Sequence, residues 1–129
     1  MNLAEHFDKV KGTGVLGTAD SEGKVDLAIY ARPHVIDDQT VAFIMRDRLS
    51  HANVVANPHA AYLFVEQGEG RKGLRLYLTR TAEETDPKKV EAMRRRSRRD
   101  EDAAETKAFL VYFRVDEVRP LVGPSAPTG

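Results

Sequence analysis

The segment LRLYLTRTAEE, residues 74–84, alternates apolar and polar side chains. Leu74, Leu76 and Leu78 fall on one face, and Arg75, Tyr77 and Thr79 fall on the other. A period of two specifies a strand with one buried face. Such a strand needs neighbours at its edges and cover on its apolar side. The rest of the chain offers both. TGVLGTAD (13–20), VDLAIYARPHVI (25–36), TVAFIM (40–45), HAAYLFVE (59–66) and KAFLVYFRVDEV (107–118) all read as strands. SEGK (21–24) and DDQ (37–39) are turn sequences, and Gly23 can take the positive φ that a hairpin requires. Pro33 marks an edge or a bulge within its strand. About six short strands joined by hairpins predict an antiparallel sheet that curls into a β-barrel with flanking helices.

Three segments have helical character. Leu3, Phe7 and Val10 recur at helical spacing, with Gly12 as a stop. Ser50 is the expected N-cap of a short helix through about Ala56 that ends at Asn57-Pro58. Asp86-Pro87 is a helix start, with Asp as N-cap and Pro at the first helical position. The helix it opens is expected to run from Lys88 into the hundreds, anchored by Val90 and Met93. Residues 1–120 are expected to form one domain, with 121–129 as a Pro/Gly-rich tail.

At 129 residues the chain is long enough for a real core. It has 20 basic and 20 acidic residues, a balance that argues against a general nucleic-acid or acidic-membrane binder. The run KKVEAMRRRSRR (88–99) holds seven bases against one acid, but DEDAAE follows with four acids in six. With few aromatics interleaved, a solvated helix face is the better reading of that run. No cysteine is present, which excludes disulfides, thiolate metal sites and a Cys nucleophile. The four histidines lie at no zinc-like spacing, so no metal is expected. GEGRKG precedes a strand rather than a helix and lacks the context of a phosphate loop. No apolar run approaches a membrane span and no apolar leader is visible, so a cytoplasmic setting is expected.

The polar break MRDRLSHANVVANPH (45–59) is the chemically suggestive stretch. Helix N-termini favour anions through free N–H groups and the helix dipole. Arg46 and Arg48 precede such a terminus, Ser50 offers a hydroxyl, and His51 and Asn53 are further donors. On spacing alone, a surface loop with an N-cap serine, its two arginines solvated or paired with Asp47, is the better reading.

Taken together, Gly17-Thr18-Ala19-Asp20 with Gly23, then Asp37-Asp38, then Asn53-Val54-Val55-Ala56-Asn57-Pro58 give a pattern. In that order and spacing, residues 12–86 resemble the FMN-binding split-barrel family of pyridoxamine 5′-phosphate oxidase-related proteins. The last helix and strand fit by position only. The resemblance implies a split β-barrel homodimer with FMN at the dimer interface. It implies a phosphate held by Arg46, Arg48, Ser50 and His51, with Asn53 in support. It places the flavin ring along the second strand, beside Ile29, Tyr30, Ala31 and Arg32. Arg32 would there favour a reduced, anionic flavin. Many relatives carry Lys where Ser50 stands, and a Gln that often reads the flavin is replaced near Leu74 and Arg75. Other branches bind heme or the deazaflavin F420. The C-terminal Arg and His motif of true pyridoxamine phosphate oxidases is missing, so that activity is not expected. The expected function is a flavin-dependent oxidoreductase or electron carrier with a small-molecule electron donor or acceptor. A non-catalytic flavin, heme or F420 sensor and an interaction module are the alternatives. A barrel this small with an open edge also predicts a second copy as cover.

Overall fold

The computed structural model describes residues 2–97 and 108–123. In chain order the elements are α1 (Leu3–Lys9), β1 (Gly12–Ala19), β2 (Val25–Ile29), β3 (His34–Asp37), β4 (Thr40–Arg46), α2 (Leu49–Ala56), β5 (His59–Glu66), β6 (Gly73–Glu84), α3 (Pro87–Ser97) and β7 (Ala108–Pro120). All the strands pair antiparallel in one seven-stranded sheet of order β2-β1-β5-β6-β7-β4-β3.

That order forces curvature. Laid flat, the six spacings between β2 and β3 would separate them by about 29 Å. The chain joins Ile29 to His34 directly, a reach of at most about 18 Å. The two edges must therefore approach each other, and the sheet rolls into a barrel that is split between β2 and β3. Bulges between Tyr77 and Leu78, and between Arg80 and Ala82, help the long β6–β7 ribbon bend.

This topology corrects the expected single strand over 25–36. The segment is two strands at opposite edges, which raises the strand count from about six to seven. Pro33 lies in the link, where it has no ladder bond to lose. The link's carbonyls are satisfied from inside the barrel. The hydroxyl of buried Tyr62 lies 3.1 Å from the carbonyl oxygens of Tyr30 and Ala31 and donates to them. Gly14 makes this approach possible, since a Cβ there would stand 1.9 Å from the Tyr62 hydroxyl. Gly23 has φ +86° in the β1–β2 turn, which Asp20 closes by accepting from the Glu22 and Lys24 amides.

The barrel is filled by inward side chains, among them Leu16, Phe43, Met45, Tyr62, Phe64, Leu76, Val111 and Phe113. Leu74, Leu76 and Leu78 point inward as their alternation predicts. α1, capped by Asn2, packs Leu3 and Phe7 into the same core, with Phe7 edge-on to Phe64. α3 starts where Asp86-Pro87 places it, the Asp86 carboxylate accepting from the Lys88 amide at 2.9 Å. Val90 and Met93 then pack on Ala42 and Leu110 on the outer face of β4 and β7. The part of this helix expected beyond residue 97 lies outside the described residues, as does the tail from residue 124. β7 itself runs two residues further than expected, to Pro120.

Candidate functional site

A cavity of about 410 Å³ opens between β2, the 30–33 link, the end of β4 and the first turn of α2. Seven of the nine residues expected at a cofactor site line it: Ile29, Tyr30, Ala31, Arg32, Arg46, Arg48 and Ser50. Antiparallel geometry makes this happen. Arg46 ends β4, Arg48 precedes α2, and the β2–β3 link crosses the same end of the barrel. Asp26, Ala28, His34, Phe43, Ile44 and Leu49 complete the lining. Asp26 and Ala28 were legible in principle, because they share a strand face with Tyr30.

The start of α2 differs from expectation in one respect. Arg48, not Ser50, occupies the N-cap position, and no side chain caps the helix. Ser50 is the second residue of the helix and is buried. The amides of Leu49, Ser50 and His51 are therefore the first-turn donors that an α-helix leaves without intrahelical partners. Ser50 hydrogen-bonds the Tyr30 phenol. Burial pushes the Tyr30 hydroxyl above its usual range, while Ser50, Arg48 and Arg46 pull it back down and Asp26 adds to the rise. The phenol thus stands between cationic and anionic groups of one cavity, its ring edge-on to Phe43.

His51 and Asn53 do not line the cavity. Asn53 donates to the Thr18 hydroxyl at 3.0 Å, in the buried seam between α2 and β1. Asn57 at the helix C-cap donates to the Asp20 carbonyl. His51 lies flat on Phe109, with ring centroids 3.8 Å apart, and its Nε2 meets Glu83 at 2.8 Å. Glu83 also accepts from Arg80 at 3.2 Å. Burial works against the Glu83 carboxylate, but the His51 and Arg80 hydrogen bonds and charges outweigh it and hold its pKa below the ordinary value. These contacts tether α2 to β1, β6 and β7 and so fix the direction of its N-terminus. The asparagines that make the sequence pattern conspicuous are tethers of that kind.

Arg32 lines the cavity, but its Nη1 donates to the carbonyls of Phe7 and Val10, the latter at 3.0 Å. Its guanidinium is anchored on the C-terminal end of α1, where cations are favoured. Part of the charge that the flavin ring was expected to meet is spent there. Among the described residues no cluster of His, Asp or Glu is arranged to hold a metal ion, and no helix is long and apolar enough to cross a membrane.

The donor set suits one chemistry well. Two arginines, a serine hydroxyl and an uncapped helix start together fit a phosphate. The adjoining wall of Ile29, Ala31, Phe43 and Leu49 fits a flat apolar body, and the volume suits a small organic ligand. The fold is a split β-barrel, the one seen in solved structures of an FMN-binding protein and of pyridoxamine 5′-phosphate oxidase-like proteins.

Solved structures with this fold differ in what they bind. An FMN-binding protein from Syntrophomonas wolfei superimposes with a TM-score of 0.74 at 16% identity, over 91% of this chain and 82% of that one. An F420 reductase matches with a TM-score of 0.70 at 15% identity, over 88% and 94%. HutZ, the heme storage protein from Vibrio cholerae, matches with a TM-score of 0.68 at 14% identity, over 93% and 95%. Candidate pyridoxamine 5′-phosphate oxidases from Listeria innocua and Lactobacillus delbrueckii share the fold as well. No family model matches this chain, and no curated protein matches it.

Proposed function

We propose that the cavity binds FMN and that the chain works as a homodimeric flavin-dependent oxidoreductase or electron carrier. The observation that carries this reading is the meeting, in one cavity, of Arg46, Arg48 and the uncapped start of α2 with the apolar wall from Ile29 to Phe43. FMN bound there would supply electron or hydride transfer to a small-molecule partner. The protein's own part is binding and electrostatics. Arg46, Arg48, Ser50 and the first-turn amides of α2 hold the phosphate. Ile29, Ala31 and Leu49 shield the ring from water. Tyr30 links the two ends through Ser50. His51 and Asn53 act at one remove, by keeping α2 aimed.

The homodimer is supported by β2. Val25, Leu27 and Ile29 lie on one face and are 75%, 72% and 73% exposed. In register they continue onto Val15, Gly17 and Ala19 of β1, and from there onto Ala61 and Leu63 of β5. A contiguous apolar patch of this kind marks an interaction surface. Ile29 belongs to both the patch and the cavity lining, so a partner on the patch would also close the cavity. The cysteine-free sequence supports a cytoplasmic setting.

The test is an absorption spectrum of the purified protein after loading with FMN and desalting. Retained flavin colour, with weaker retention of riboflavin, supports a phosphate-reading site. A Soret band after purification, or retention of F420 in preference to FMN, replaces FMN as the ligand. Oxidation of NAD(P)H faster than by free flavin separates an enzyme from a sensor.

A further inference from the structure

Asp26 is the residue of this cavity that the phosphate reading leaves without a role. It sits on β2 opposite Thr18, on the strand face shared with Ala28 and Tyr30, and is half-buried. It lines the cavity with Arg46 and Arg48, yet among the described residues its carboxylate makes no hydrogen bond and no ion pair. Half-burying a carboxylate without a partner costs free energy. Nothing in the fold requires an acid there, since Ala28 serves the next inward position of the same strand. The Tyr30 phenol feels both sides, drawn down by Arg48 and Arg46 and pushed up by Asp26. The cavity therefore has a cationic end and an anionic flank.

We propose that Asp26 determines the class of ligand the cavity accepts. Its carboxylate takes a hydrogen bond from a neutral hydroxyl or N–H of a ligand whose single phosphate sits at the cationic end. The same charge excludes ligands that bring a second anionic arm. FMN meets both conditions, with one phosphate, a hydroxyl-bearing ribityl chain and an imide N–H. Hemin brings two carboxylates, and F420 brings a carboxylated tail in addition to its phosphate. The inference rests on the cavity being the flavin phosphate site, and it goes further by naming what that site rejects.

The experiment titrates the full-length wild type, Asp26→Asn and Asp26→Ala with FMN and, separately, with hemin, and records the melting temperature of each protein. Comparing each ligand across variants removes the difference in ligand size. Asp26→Asn keeps the shape and loses the charge, so hemin affinity should rise relative to FMN affinity by on the order of tenfold. Asp26→Ala should do the same and also weaken FMN. A purely structural role would move both affinities together, and that result overturns the proposal. A wild-type protein that takes hemin as tightly as FMN overturns it too. Wild-type binding of FMN with unchanged selectivity in the variants removes Asp26 and leaves the site standing. Failure of the wild type to bind FMN removes the site reading and the proposal together.

Discussion

Two outer faces of the barrel are apolar, and the chain treats them differently. On β4 and β7, Ala42 and Leu110 face outward, and α3 lays Val90 and Met93 over them, leaving Leu110 2% exposed. On β2, Val25, Leu27 and Ile29 also face outward, and no described element covers them. The difference explains their sequence patterns. VAFIM is apolar at every position because both faces of β4 are buried, whereas VDLAI admits Asp26 on the face of β2 that borders the cavity and keeps Val25, Leu27 and Ile29 on the other. On β2 it is the outward positions that are apolar and the inward ones that carry Asp26. A strand patterned inside out in this way puts its apolar surface where none of the described elements buries it.

The same substitution on the two faces should separate them. Leu110→Asp places a charge beneath α3 and should cost about 4 kcal/mol or more of folding stability, read as loss of the cooperative transition or a large fall in melting temperature. Leu27→Asp should leave the monomer folded and instead weaken self-association by about 2–4 kcal/mol, measured by analytical ultracentrifugation across concentration. A Leu27→Asp protein that unfolds, or a wild type that stays monomeric at high concentration, breaks the contrast. The cavity at the edge of the uncovered face comes next. Arg46→Ala and Arg48→Ala should each cost about 1.5–3 kcal/mol of FMN affinity, with riboflavin little affected. Isothermal titration checks this, and an equal loss for both ligands would remove the phosphate assignment.

The smallest effect concerns Glu83, beneath the start of α2. Its folded pKa is lowered, so the stability it contributes is present above the ordinary carboxylate pKa and is lost as pH falls through the lowered folded value. Glu83→Gln should therefore cost about 1 kcal/mol at neutral pH. It should also flatten the acid limb of a melting curve series below about pH 4.5. An acid limb identical to that of the wild type would show that the His51–Glu83–Arg80 contacts do not stabilise the tether.

Much of the fold was readable before any coordinates. The Leu74–Leu78 alternation, the hairpin turn with Gly23 at positive φ and the Asp86-Pro87 helix start depend on neighbours within a few residues, and each formed as expected. The residues of the cavity were partly readable: the cationic stretch 46–50 and the segment 29–32 were both identified. Ser50 was misplaced by two positions, because a good capping residue does not fix where a helix begins when the strand before it sets the geometry. Asp26 is not legible as a cavity residue, because in one dimension a lone acid in a strand reads as a solvent-facing position.

Local periodicity and turn chemistry, then, lie in the sequence itself: which segments are strands, which face of each is apolar, and where helices start. The separation of 25–36 into strands at opposite edges, the covering of one apolar outer face by α3, and the turning of His51 and Asn53 away from the cavity were decided by tertiary structure alone. The physical reason is range. Side-chain alternation is set by each residue's own neighbours. Which face turns inward, and which polar groups meet across a cavity, is set by pairings between residues 20 to 80 positions apart, such as Thr40 with Arg114 or Val15 with Leu63, that exist only once the sheet has assembled.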